Sequence, residues 1–388
     1  MTDEKPPLSP ELEALNAQIE MERELQRRKK ELEEKNLYVK EYKIGNEFET
    51  IVRNRDEIER APTVRFGSLS DEALAQMIKE NEDYIAAARN PLPFINEDFK
   101  GIVPFFRNNL ILIGSKTGGG KSTVVSNVIY KLLRTRNKAT GKGHRVLLLS
   151  NEEKNADTYN RVACLLKGWS YTNHSDFTDD QVKEFKDFMA AIGRSGKFTV
   201  IEDTYEGISG WTTTPEGIEL IFDNLIKNEE WYDAVIIDYY QNISSSKTDP
   251  SMVPWQVQEK FNNMIDKMKL KYPAPILLLA QMDALKDEDD TTPYKLRING
   301  RKSVADKSTF IGELEPQPKT LRSKWMVWKS RWTTAVGKDF YSGYDRGMLV
   351  PYSMEFPKNV AKLVAQNIEK DKESELGIQA HEEDGQDN

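Results

Sequence analysis

The stretch ILIGSKTGGGKST, residues 111 to 123, runs from apolar residues into three consecutive glycines and a Lys-Ser pair. It approximates the phosphate-binding pattern G-x-x-x-x-G-K-[ST], with Ser115 where the first glycine belongs and Gly114 one place early. The mechanics tolerate that change, because residue 115 stands at the loop entrance, where small size matters more than being glycine. Gly118, Gly119 and Gly120 let the backbone curl until its N–H groups converge on phosphate oxygens. Lys121 places a charge near the terminal phosphates, and the Ser122 hydroxyl suits Mg²⁺. Lys116, Thr117 and Thr123 complete the loop. Upstream lies LILI, a buried-strand pattern, and downstream STVVSNVIYKLL, a helical one. A strand–loop–helix of this kind predicts binding of ATP or another NTP together with Mg²⁺.

Working outward, short apolar runs alternate with segments of helical length. NLILIG (109–114), HRVLLLS (144–150), KFTVIED (197–203), YDAVIID (232–238) and APILLLAQ (274–281) each read as a strand buried on both faces. The alternation predicts an α/β fold, a mostly parallel sheet with helices on both faces. KWMVWKSRW and DFYSGYDRGMLVPYS then predict a β-rich C-terminal extension.

Polar residues at the strand ends extend the chemistry, since ligands of open α/β sheets bind at the carboxyl edge. Glu152 or Glu153, after RVLLLS, is placed to polarise an attacking water. Asp238, ending AVIID, is placed to hold Mg²⁺ through water. Gln281, ending ILLLAQ, is an uncharged group able to sense a γ-phosphate and relay its loss into the next loop. That loop carries Lys295, Arg297, Arg301 and Lys302 within eight positions and no acid, a pattern suited to tracking the phosphates of a single strand.

Composition narrows the setting. The chain has 388 residues, 38% hydrophobic and 30% charged, with no apolar run of the ~18 residues that a membrane span requires. The start, MTDEKPPLSPELEAL, lacks the basic-then-apolar order of a secretory signal, so a cytoplasmic location is expected. One cysteine, Cys164, excludes an intrachain disulfide and a Cys-rich zinc module. The net charge of −8 argues against a protein that merely coats nucleic acid. The charge is uneven, however: residues 316 to 338 hold six cations and no acid.

The order of these pieces resembles the RecA-like ring helicases, in particular the DnaB replicative helicase motor and the related phage primase-helicases, over roughly residues 90 to 355. Serine at the loop's first position resembles the phage branch. LLLSNEEKNADTYNRV resembles the segment that implies Glu152 as catalytic base and singles out Arg161. IIDYYQ resembles the family's IDYLQ, implying Asp238 for Mg²⁺ with Gln241 in the same signature, and LLLAQM resembles ALSQL, implying Gln281 as sensor. KLRINGRKS resembles DLRESGSIE, implying that Arg297 and Gly300 line a central channel and touch a DNA backbone. VWKSRW resembles IAKQRNG, implying Arg331 as an arginine finger and Lys329 as its neighbour, both reaching an adjacent subunit's nucleotide. Departures from the family pattern are Asn151 and Glu153 beside the base, and Ile298–Asn299 in place of Glu–Ser.

The resemblance implies a hexameric ring that hydrolyses ATP at subunit interfaces and moves on single-stranded DNA in phage or plasmid replication, with a primase, loader or polymerase as partner. Two other readings fit the loop: a RecA-like recombinase, and a nucleotide-switched assembly ATPase without motor activity. The expected organisation is a charged helical extension (1–69), a subunit-docking linker helix (70–93), the motor (94–368) and an acidic, disordered tail (369–388). The linker helix carries Leu74, Met77, Ile78, Ile85 and Ala88 on one stripe, which needs a partner surface.

Overall fold

The computed structural model describes a few helical residues between 20 and 31, the backbone of 37–44 and 47–54, and residues 71–352 apart from 138–140, 170–176, 205–206, 284–291, 301, 318–319 and 346. Two compact units divide at Glu80/Asn81. In the first, β1 (Leu37–Ile44) and β2 (Glu47–Asn54) form an antiparallel hairpin, in register from Leu37↔Asn54 to Ile44↔Glu47. This corrects the expected helix at its C-terminal end: Leu37–Tyr42 is strand. Its Tyr, Val and Ile content, paired with a β2 that holds Phe, Thr, Ile and Val, favours a pleated ribbon despite the interleaved charges. Helix α1 (Asp71–Arg89) follows, and its predicted stripe of Leu74, Met77, Ile78 and Ile85 is solvent-exposed. The tail, 353–388, lies outside the described residues.

The second unit is organised on one nine-stranded sheet. In chain order its strands are β3 (Leu110–Ser115), β4 (Val146–Ser150), β5 (Phe198–Glu202), β6 (Ala234–Asp238), β7 (Ile276–Gln281), β8 (Phe310–Gln317), β9 (Arg322–Ser330), β10 (Asp339–Asp345) and β11 (Met348–Pro351). Their spatial order is β11-β10-β9-β8-β3-β7-β6-β4-β5. From β8 to β5 every pairing is parallel, and β9 to β11 continue the same sheet antiparallel. The β-rich extension therefore widens the central sheet. The eight-residue β8 is hard to read from the sequence because GELEPQ is polar, yet it lies directly against β3.

Alternation along the apolar strands builds two cores. Ile111, Ile113, Val146 and Leu148 face α2 (Lys121–Arg134) and α3 (Asn155–Lys167), with α4 (Asp179–Arg194) behind them. Leu110, Leu112, Leu147 and Leu149 face α5 (Pro215–Lys227) and α6 (Pro254–Lys271). With helices on both sides, consecutive residues are all apolar, which is why these strands lack polar alternation. The edge strand β5 differs from expectation: only Phe198 is fully buried, because one flank has no neighbouring strand.

Beyond β7 the chain forms two short helices, α7 (Tyr294–Arg297) and α8 (Ser303–Lys307), before entering β8. Arg297, 2% exposed, ties this segment to the sheet. Its guanidinium donates to both Glu313 oxygens, with Nη1 at 2.9 Å from Oε1. Trp328 on β9 donates to the same carboxylate at 2.7 Å and lies 5.2 Å beneath the guanidinium. Breaking a buried pair leaves a charge without a partner, at ~3–5 kcal/mol. We expect Arg297→Met and Glu313→Leu each to lower the unfolding free energy by about that much. The double variant should lose less than either single one; denaturant titration of all four proteins checks this.

Candidate nucleotide site and the loop beside it

β3 delivers the glycine-rich loop to the carboxyl edge of the sheet, between β7 and β8. The loop closes on itself through a Gly119 N–H bond to the Lys116 carbonyl at 2.8 Å. Gly120, at φ +89°, starts α2 without any side-chain cap, so the first N–H groups of the helix remain available to an anion. A Cβ on Gly119 would lie 2.7 Å from the Lys116 carbonyl oxygen, so the curl needs glycine there. Lys121 is buried with its ammonium 5.1 Å over the Tyr239 ring, while Lys116, Thr117 and Gly118 are exposed. Ser122 and Thr123 occupy the first turn of α2.

Asp238 ends β6 in register with Ser150 of β4. It is 4% exposed, and its Oδ1 has no hydrogen-bond partner among the described residues. Burial raises its pKa to about 7, and Glu152 and Glu153 push the same way against Lys121 and Arg161. A buried acceptor facing two more carboxylates is the donor chemistry that a divalent cation satisfies. With the Ser122 hydroxyl it fits Mg²⁺, which takes few protein ligands and completes its shell with water and phosphate oxygens. No cluster of three or more His, Cys, Asp or Glu that could hold a metal occurs among the described residues, in keeping with such a sparse site.

The residues after β4 separate the two glutamates. Glu153 accepts from Arg161 at 2.9 Å, whereas Glu152 is exposed. Asn151, which in the sequence is only a departure from the family pattern, joins the two strand ends. Its Oδ1 accepts from the Tyr239 N–H at 2.7 Å, and its Nδ2 donates to the Tyr239 and Thr212 carbonyls at 3.1 Å. Asp203, just past β5, holds the loop that carries Thr212. Burial would raise that carboxyl, but bonds from the Thr213 hydroxyl and from the N–H groups of Thr212, Gly210 and Thr213 bring it below its ordinary value. Neither Asn151 nor Asp203 sits in a recognisable pattern.

Gln281 ends β7 in register with Ser115, and its Nε2 donates to the Thr117 hydroxyl at 2.7 Å. Lys121, Glu152, Asp238 and Gln281 thus gather at one edge around the loop. Lys329 and Arg331 do not. The Arg331 N–H bonds to the Thr309 carbonyl and the Thr309 N–H to that of Leu110, at the opposite end of β3. Five residue steps at ~3.3 Å put them ~17 Å from the loop of their own chain. There Lys329 donates to the Ala305 and Asp306 carbonyls at 2.6 and 3.1 Å, and Arg331 to Asp306 at 3.1 Å. Burial, with Arg331 alongside, lowers the Lys329 ammonium to about 8.

The basic loop needs one correction. Arg297, expected to touch DNA, is buried against Glu313 and presents nothing to solvent. The -L-R- pattern does not distinguish an exposed arginine from one whose acid lies 16 residues away on another strand. Lys295 pairs with Asp306, and Lys302 donates to the Leu296 carbonyl at 2.7 Å and to that of Ile298. Gly300 is exposed at φ +95°, where a Cβ would lie 2.7 Å from Gln258 Oε1. Arg301 lies outside the described residues.

The strand order, the loop between β3 and α2, and the carboxylate on β6 define a RecA-like P-loop NTPase fold. Solved structures share it. One, a helicase-type ATPase domain, is 14% identical over 74% of this chain and all of that one, with a TM-score of 0.56. A DnaB-like replicative helicase, described with its interactions with primase, is 14% identical over 77% of this chain and 70% of its own, with a TM-score of 0.56. A KaiC-like protein of Pyrococcus horikoshii OT3 aligns at a TM-score of 0.43 and 14% identity, over 68% of this chain and all of its own. No protein-family model and no curated protein matches the sequence.

Asp238 gives a pH signature. A carboxyl whose folded pKa is raised binds its proton more tightly folded than unfolded, so its contribution is present at low pH and lost as pH rises. Without Mg²⁺, wild type should lose stability relative to Asp238→Asn from about pH 4 to about pH 7, at no more than ~1.4 kcal/mol per pH unit. Mg²⁺ competes with that proton, so its affinity should fall up to tenfold per unit below pH 7. Denaturant melts and calorimetric Mg²⁺ titration with nucleotide, both against pH, measure the two effects.

Proposed function

We propose that this chain is the motor of an ATP-dependent DNA helicase, assembled as a ring of six copies, that hydrolyses ATP between subunits and moves along single-stranded DNA. The observation that carries the reading is the separation of the site into two halves. Lys121, Ser122, Glu152, Asp238 and Gln281 stand at one end of β3, and Lys329 and Arg331 at the other. Cations ~17 Å away along a rigid strand cannot serve their own chain's nucleotide, but they can serve a neighbour's. The exposed stripe on α1 supplies apolar surface for such an assembly, at ~1.5–3 kcal/mol per large side chain buried.

In this reading the loop N–H groups and Lys121 hold the phosphates, and Glu152 orients a water in line with the γ-phosphorus. The new O–P bond forms as the bond to the β-phosphate oxygen breaks, and Glu152 takes the proton from water. Mg²⁺, when bound by Ser122 and Asp238, supplies charge neutralisation on the phosphate oxygens. Arg331 from the neighbour stabilises the charge that develops, an effect worth ~10³–10⁵ in rate for arginine fingers. Gln281, bonded to Thr117, senses the departing phosphate. Lys295, Gly300, Arg301 and Lys302 then present the strand-contacting surface. Among the described residues no helix is long and apolar enough to cross a membrane. The proposal places the protein in the cytoplasm, where a primase, loader or polymerase would be its replication partner.

The burial of Arg297 favours a second reading, a nucleotide-switched assembly ATPase, since one cation is withdrawn from the strand-contacting set. Hydrolysis indifferent to single-stranded DNA would support it over a motor. For the shared site, Lys121→Ala and Arg331→Ala should each abolish most turnover. Mixed in equal amounts they should regain part of it, because some interfaces then combine an intact loop with an intact finger. A mixture as inactive as its components rules the interface site out.

A further inference from the structure

Three features lie outside the assigned chemistry: a shallow basic pocket at the amino ends of β4 and β5, the network around Glu216, and the side chain of Gln241. The pocket's Arg145 is already committed to Glu230 and to the Trp231 and Gly196 carbonyls. Glu216 holds the 246–248 turn through Ser246, Thr248 and Lys260, a closed structural set. Gln241 has a different geometry.

Gln241 lies in the single helical turn Tyr240–Asn242, three residues beyond Asp238. Its amide is spent entirely on main-chain groups of two other segments. Oε1 accepts from the Gln281 N–H at 2.8 Å, while Nε2 donates to the Gln281 carbonyl at 3.1 Å and to the Asn299 carbonyl at 2.6 Å. The Asn299 N–H returns to the Gln281 carbonyl at 3.0 Å, and Asp283 N–H to the Arg297 carbonyl at 2.7 Å. One side chain therefore clamps the end of β7 to the start of the basic loop, from a turn anchored to the end of β6. Because Gln281 also reaches Thr117, an unbroken set of bonds runs from the phosphate loop to Asn299, next to Gly300.

We propose that Gln241 is the positioning residue that transmits nucleotide state to the basic loop, by making the ends of β6 and β7 and the 298–300 backbone move as one body. This rests on the reading of the loop as a nucleotide site and of residues 295–302 as the strand-contacting surface. A displacement at Gln281 cannot leave Asn299 behind while both Nε2 bonds persist. The Arg297–Glu313 pair fixes the other side of the loop to β8, so motion is confined to the turn at Asn299–Gly300. Gln241 performs no chemistry of its own, since its amide is committed to main-chain groups.

The test uses the full chain, Mg²⁺ and a non-hydrolysable ATP analogue, with Gln241→Met, which keeps length but loses the bonds, and Gln241→Glu, which keeps the acceptor but loses the donor. Hydrogen exchange of residues 294–302 should change about fivefold or more when wild type binds the analogue, the effect of a lost bond network. Both variants should lose most of that change. Stimulation of hydrolysis by an oligo-dT strand, taken as a ratio to each protein's own DNA-free rate, should fall in parallel. Variants that respond as wild type does in exchange and in stimulation overturn the inference. So does a wild-type loop whose exchange ignores the analogue, a result that stands even if neither variant folds. If wild type shows the exchange response and the variants lose it, but oligo-dT never stimulates, Gln241 keeps its role and the helicase reading falls.

Discussion

A carboxylate held out of water at the end of β6 sets the terms of this site. Asp238 has no bond for one of its oxygens among the described residues and two glutamates nearby, an arrangement that is unfavourable until a cation arrives. Everything around it compensates or exploits that cost. Lys121 and Arg161 oppose the raised pKa, and Asn151 fixes the neighbouring Tyr239 backbone so that the carboxylate cannot swing into solvent. The parallel sheet makes the arrangement possible, because β3, β4, β6 and β7 all end at the same edge and bring Ser115, Ser150, Asp238 and Gln281 to one level.

The same register explains how a local event acquires a direction. Neighbouring parallel strands cannot slide without breaking their shared ladder, so displacement at the edge passes into whatever leaves the strand ends. β6 leads into the turn of Gln241 and β7 into Met282, which bridges to Ile298. Both exits meet at Asn299. The helix α8 then carries the chain across to Thr309, where Lys329 and Arg331 hold its last carbonyls.

The frame is legible in the sequence, and the reasons are physical. A glycine-rich loop between an apolar run and an amphipathic helix has few alternative structures, and five apolar runs ending in polar residues fix a parallel sheet and its functional edge. What stays hidden depends on distant partners. Arg297 reads as a surface cation until Glu313 is placed beside it on β8, a strand disguised by its own acids. Leu37–Tyr42 reads as helical because it continues a charged, helix-favouring stretch, although a hairpin needs only alternate apolar residues. Asn151 and Gln241 act through main-chain contacts, and an amide that bonds to backbone leaves no compositional trace.

The grip on the end of α8 has a thermodynamic corollary. Three hydrogen bonds from two cations, at 2.6, 3.1 and 3.1 Å, occupy the groups that any outside anion would recruit. Recruitment is then an exchange of partners, and its yield is the new contact less ~1 kcal/mol for each old one surrendered. A weak or misplaced anion gains too little from that trade, whereas a tightly held polyphosphate gains enough. Selectivity at this spot is therefore written into what the cations must give up.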